Sequence, residues 1–230
     1  MSPSLFVTAM LAVAALAAPL IPGSCDISHA QMALPANQTA LAQPSGAPSF
    51  VLLGVGVQNY TCSAAGTYAS AGAVAQLFDI SCLVKSPVFN NVQDIAFLKW
   101  QMTPGKDNCA SAVSGMPLTR MGDHYFVTSP SGTGISPVWD FRAFGRFKGN
   151  ANAMVLAAKV ANLPSPAGSQ NVDWLQLKSV SGELATQIYR TDTRSGQPPA
   201  SCTPGSALIS VKYTSKYWLF GSTVVPAGHP

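Results

Sequence analysis

Gln58, Tyr60, His124 and Arg190 are the side chains of this sequence best suited to polarise a carbonyl oxygen or orient a reactant without a metal or coenzyme. Trp139 and Trp174 are the aromatic side chains best suited to wall the substrate pocket around them. A reaction that uses no nucleophile needs only an apolar cavity that holds two reactants together. It also needs one or two donors aimed at the oxygen where charge gathers. Such a site imposes no fixed spacing on a sequence, so its residues are chosen by type and neighbourhood. Each has a structural alternative. His124, between Asp123 and Tyr125 at a predicted strand edge, can equally be a hydrogen-bonder that only fixes the strand. Arg190, between Tyr189 and Thr191, can stack on an aromatic ring, pair with Asp192 or Asp173, or lie on the surface. His29 and His229 fall in predicted tails and are left without a role.

Other chemistries find less support. A Ser-His-Asp arrangement would need a nucleophile elbow, and no G-x-S-x-G occurs; Ser131-Gly132-Thr133-Gly134 is a flexible loop. Glycoside hydrolysis needs two carboxylates across a sugar cleft. Asp140 beside Trp139 and Asp173 beside Trp174 have the right neighbours, but core tryptophans flanked by solvent-facing acids explain the same pairs. No His, Cys or carboxylate cluster has metal-ligand spacing, and no cofactor is expected. Gly54 and Gly56 are not followed by a third glycine and a helix, so the dinucleotide fingerprint fails; such glycines mark a bulge or a close approach of backbones. Thirteen basic and nine acidic residues give a net charge of +4, with no Lys/Arg run longer than two, so nucleic acid is not an expected partner.

These side chains must be positioned by strands. Short aromatic and branched runs punctuated by Gly and Pro recur from residue 49 onward, among them Phe50–Val57, His124–Val127, Val138–Phe141, Met154–Val160, Val172–Leu177 and Ile188–Thr193. Ten to twelve short strands are predicted, forming an all-β sandwich or barrel. Ala71–Ile80 can be a strand or a short helix, and Val92–Met102 is half buried. With 47% apolar and only 10% charged residues, the chain can fill a real core, but its surface is poor in charge. The expected organisation is a signal peptide (1–17, ending in Ala15-Leu16-Ala17), a Pro/Ala/Gln-rich leader (18–48), a single β domain (49–222) and a C-terminal tail (223–230). Export agrees with glycosylation sequons at Asn37 and Asn59. The five cysteines allow two disulfides; Cys62, Cys82, Cys109 and Cys202 are the candidates, with Cys25 the odd one. No membrane span is expected.

The motifs of Val172–Trp218, together with Gly56–Cys62, Gly122–Phe126 and Pro137–Asp140, resemble a group of secreted, mostly fungal proteins catalogued as a domain of unknown function and often mislabelled malate dehydrogenase-like. The resemblance covers roughly residues 50 to 220. It implies a compact β fold, a signal peptide and a structural cysteine near each end of the domain. It implies nothing about dehydrogenation, because the nucleotide loop and α/β alternation are missing. It also points to fungal secondary metabolism and to cofactor-free hetero-Diels–Alder cyclases that join a tropolone-type quinone methide to a cyclic sesquiterpene alkene. The expected function is therefore a secreted or secretory-pathway cyclase acting on small apolar natural-product intermediates. The alternative is a non-catalytic secreted protein that binds carbohydrate or a host surface through exposed Trp100, Trp139 and Trp218.

Overall fold

The computed structural model describes residues 25–224. The predicted signal peptide, the leader up to residue 24 and residues 225–230, with His229, lie outside the described residues. Eight strands follow one another: β1 (Pro48–Cys62), β2 (Tyr68–Asp79), β3 (Thr119–Thr128), β4 (Ile135–Asp140), β5 (Met154–Leu163), β6 (Trp174–Gly182), β7 (Gln187–Ser195) and β8 (Ile209–Phe220). Each pairs antiparallel with the next, and β8 returns to β1, closing an up-and-down barrel. Closure leaves no unpaired edge to recruit another chain.

The all-β class is as expected, but the strands are eight rather than ten to twelve. They are longer than the punctuation suggested. Phe50–Val57 and Gln58–Cys62 belong to one 15-residue strand, because Gly54 and Gly56 do not break it. Both glycines mark close approaches. A Cβ on Gly54 would lie 2.5 Å from the Tyr217 ring, and one on Gly56 would lie 2.0 Å from the Val74 carbonyl oxygen. Val92–Met102, expected only to be half buried, is a helix, α1. Val92, Ala96 and Trp100 recur every four residues and bury one helix face against the barrel wall.

β1 reads as a continuous apolar run because both its faces are covered. Phe50 and Leu52 point into the lumen with Leu77, Trp139, Phe141, Leu177, Ile188, Tyr217 and Leu219. Val51, Leu53, Val55 and Val57 point outward into a second core built from α1, Met32, Phe89, Tyr189 and Trp218. Polar clamps fix α1 there. Trp100 Nε1 donates to the Gly56 carbonyl (2.8 Å), Lys212 Nζ donates to the carbonyls of Trp100 and Thr103 at the helix C-terminus, and Asp94 pairs with Arg194.

The disulfides are Cys25–Cys82 and Cys62–Cys202, and Cys109 is the free, buried thiol. The expectation that Cys25 is unpaired is therefore corrected. The leader folds back over the outer core, where Ile27, Ala30 and Leu34 pack, and this carries Cys25 to the turn after β2. Cys62–Cys202 ties the end of β1 to the loop between β7 and β8 across a separation of 140 residues. Two disulfides fit an oxidising compartment. Of the sequons, Asn37 is exposed on a left-handed turn (φ 64°), whereas Asn59 lies half-buried within β1, opposite Ser210. No helix among the described residues is long and apolar enough to cross a membrane.

Candidate functional site in the barrel lumen

Strand alternation sends Leu52, Gly54, Gly56, Gln58 and Tyr60 of β1 to the inside, so the lumen changes from apolar to polar along one strand. Its lower end is solid. Phe50 meets Phe141 and Phe147 edge-on at 5.3 and 5.4 Å, and Leu52, Leu77, Val155, Ile188 and Leu219 fill the space around them. Above this plug, Trp139, His124 and Tyr217 form an aromatic floor. His124 stacks on Trp139 at 4.4 Å, and Tyr217 stands edge-on to Trp139 at 5.5 Å. Over the floor opens a cavity of about 490 Å³. Gln58, Tyr60, Phe126, Val172, Asp173, Leu175, Leu177, Arg190 and Gln197 are among the other residues of its wall.

The structure thus brings Gln58, Tyr60, His124, Trp139 and Arg190 to one cavity. Trp174 is not among its lining residues. Leu175 and Leu177 point inward, so alternation puts Trp174 with Gln176 on the outer face.

The hydrogen bonds sort these groups. Tyr60 donates its phenol proton to the Gly196 carbonyl (2.7 Å), which leaves its oxygen as an acceptor; burial pushes its pKa up, so it stays protonated. His124 is 3% exposed, and its Nδ1 lies 2.8 Å from the Val138 carbonyl oxygen. A carbonyl cannot donate, so Nδ1 carries the hydrogen and Nε2 the lone pair. Burial lowers the His124 pKa to about 3, against the pull of that hydrogen bond, with the Arg190 charge lowering it further. The imidazole is thus a neutral, fixed acceptor. His124 lines the cavity, but its one ring hydrogen is held by Val138, so it offers the lumen an acceptor rather than the donor expected from the sequence.

Arg190 is 8% exposed. Its Nε and Nη2 donate to the main-chain carbonyl of Asp173 at 3.1 and 2.9 Å, not to the Asp173 carboxylate, which accepts from Asn162 Nδ2 (2.8 Å). No described residue forms an ion pair with Arg190. Among the cavity-lining residues, Gln58 Nε2 and Trp139 Nε1 are buried donors without an acceptor, a state that Arg120 Nε and Trp174 Nε1 share outside the cavity. The hydroxyls of Tyr213 and Tyr217 lie 3.0 Å apart. When Tyr213 donates, Tyr217 keeps a hydroxyl hydrogen for the cavity.

The other sequence-based sites come apart. Asp140 turns outward to Tyr125 and Arg142 while Trp139 faces the lumen. Asp173 is the single carboxylate in the cavity wall, so the carboxylate pair of a glycosidase is not assembled. Trp100, Trp139 and Trp218, expected as an exposed platform, are 0%, 1% and 2% exposed. No group of His, Cys, Asp and Glu among the described residues could hold a metal ion. His29 is an exposed leader residue beside a concavity of about 520 Å³ outside the barrel. That concavity is slightly larger, but its one buried charge, Lys216, is already paired with Asp192 at 3.4 Å.

Sequence reasoning missed Phe126, Leu175, Leu177, Gln197 and Tyr217. Leu175 carried a signal: it breaks the alternation that would place Trp174 inside. A family model described as "Protein of unknown function (DUF3455)" matches residues 11–221. No curated protein matches the chain, and no solved structure does.

Proposed function

The chain belongs to the family described as protein of unknown function DUF3455, and from the character of its lumen we propose that it is a cofactor-independent cyclase of the hetero-Diels–Alder type. It would act in fungal secondary metabolism, joining an enone or quinone methide to an apolar alkene. One observation carries this reading. Arg190, whose guanidinium has no protein acceptor beyond the Asp173 carbonyl, shares the cavity wall with Gln58 and with the apolar and aromatic side chains of Phe126, Trp139, Leu175, Leu177 and Tyr217.

The chemistry asks little more of the protein. In the cycloaddition one carbon–carbon and one carbon–oxygen bond form as π bonds are consumed. No proton is transferred and no group leaves. The enone oxygen gains negative charge in the transition state, and donors already in place stabilise it without reorganising. The alkene lies against the aromatic floor of Trp139, His124 and Tyr217. Holding both reactants in contact removes the entropy cost of their encounter. His124 cannot serve as a strong base, since its conjugate acid forms only near pH 3. Its part is to orient the floor and accept a hydrogen bond.

The test is incubation of purified protein with a quinone methide precursor and a humulene-type alkene. The expected result is faster adduct formation with a single stereochemical outcome. Arg190→Met should slow it by about 10²-fold, the usual loss when one such donor is removed. Yield and stereochemistry equal to the buffer blank would end the proposal.

A further inference from the structure

The lumen has a charge surplus that a neutral hydrocarbon or simple enone would leave unanswered. A guanidinium presents two edges, each able to hold two acceptors. The Nε/Nη2 edge of Arg190 is taken by the Asp173 carbonyl; no described residue bonds Nη1. The other charged residues that line the cavity are Lys159 and Asp173. Lys159 is exposed, and the half-buried Asp173 carboxylate is held by Asn162. No described residue forms an ion pair with Arg190, although the Asp173 carboxylate belongs to the same cavity wall, as do the side chains of Gln58 and Trp139. A buried cation normally has a partner, because removing it from water costs more than neutral hydrogen bonds return. Here the protein supplies only a dipole.

We infer that the missing partner is the ligand: the lumen binds a planar, largely apolar molecule bearing an acidic oxygen group, a carboxylate or a vinylogous acid, that enters as its anion and sits on the free edge of Arg190. The inference rests on the lumen being the binding site, and it adds the charge and donor pattern of the substrate. The anionic group need not be the reacting oxygen. A bidentate anion on Nη1 and Nη2 leaves the rest of the molecule to the apolar and aromatic wall, which includes Phe126, Leu175 and Leu177. The neutral imidazole of His124 adds no competing charge.

Titration calorimetry with three probes of one shape tests this: 2-naphthoate, methyl 2-naphthoate and 2-naphthylmethylammonium. The wild-type protein should bind the naphthoate about tenfold or more tightly than the ester, as a charge-assisted hydrogen bond predicts, and the ammonium least. Arg190→Met should equalise acid and ester, and Arg190→Lys should keep part of the preference. An ester bound as tightly as the acid by the wild type overturns the inference, as does a preference that survives in a folded Arg190→Met. Should Arg190→Met fail to fold by circular dichroism, the wild-type ranking decides alone. No reaction occurs in this experiment, so the two proposals fail separately. Acid preference without adduct formation removes the cyclase and leaves the anion pocket. Adduct formation without acid preference does the reverse.

Discussion

The two halves of the lumen are built by the same eight strands and are stabilised in opposite ways. In the lower half every inward side chain is apolar and meets another: Phe50, Phe141 and Phe147 pack ring to ring, with Leu52, Leu77 and Leu219 between them. Burial there supplies folding free energy at roughly 25 cal/mol per Å² of apolar surface. In the upper half, some buried polar groups have no partner. Gln58 Nε2 and Trp139 Nε1 lack acceptors, and Arg190 rests on a single carbonyl. Each such group costs stability. One half holds the barrel together, and the other spends part of that stability on readiness for a ligand.

Substitution in the lower half should produce the largest loss. Phe141 is fully buried and lies outside the cavity wall. Phe141→Ala should cost about 3–5 kcal/mol in denaturant unfolding, through lost transfer energy and the void left behind. Its affinity for a lumen ligand should not change while the protein is folded. A loss of affinity equal to that of Arg190→Met would show that the two halves are not separable.

His124 lies on the boundary between the halves and gives the next effect, visible in pH. It is neutral in the fold, with a pKa of about 3, and takes up a proton near pH 6.5 when unfolded. The unfolded state therefore binds more protons between those values. Stability is fully present above about pH 6.5 and is lost as pH falls toward 3, by roughly 1.4 kcal/mol per pH unit. His124→Gln should flatten this dependence between pH 6.5 and 4.5 in matched urea melts. An unchanged slope would mean that other groups govern the acid sensitivity.

How much of this contrast was legible in the sequence depends on the residue. The all-β class was legible, with sandwich and barrel both open, because β3, β4 and β7 carry their aromatic and branched residues between turn-forming Gly, Pro and Ser. The helix was not. Val92, Ala96 and Trp100 have helical spacing, but Gln93 is buried beside them while Leu98 and Met102 are 57% and 81% exposed, which blurs the apolar face. The disulfide of Cys25 depends on the leader's return path across the outer core, and spacing carries no record of that path. Within the site, residue type was enough to pick out Gln58 and Arg190. It misplaced Trp174, because a strand's inward face is fixed by register, and a one-residue error exchanges the two faces. Which donors go unpaired is a property of three-dimensional neighbours alone.

A smaller effect of opposite sign is expected at Gln58. Its buried amide nitrogen has no acceptor, so Gln58→Leu removes a desolvated polar group and adds apolar contact. Thermal unfolding should show a neutral to stabilising change of about 1 kcal/mol, together with weaker binding of an oxygen-bearing ligand. A loss of several kcal/mol would mean that the amide is already well satisfied in the free protein.

The smallest effect is expected at a guanidinium on the outside. Arg142 holds Asp140 through Nε and Nη2 at 2.9 and 2.7 Å, better geometry than anything offered to Arg190. Yet its side chain is 43% exposed, so water and salt screen the pair. Arg142→Ala should shift stability by less than about 1 kcal/mol and leave naphthoate affinity unchanged. Arg190→Met breaks no ion pair at all and should still abolish the preference for the acid. The well-paired arginine is thus expected to matter little and the poorly paired one to decide binding, because the strength of a charge in this barrel follows from its burial and from what the protein has left for a ligand to supply.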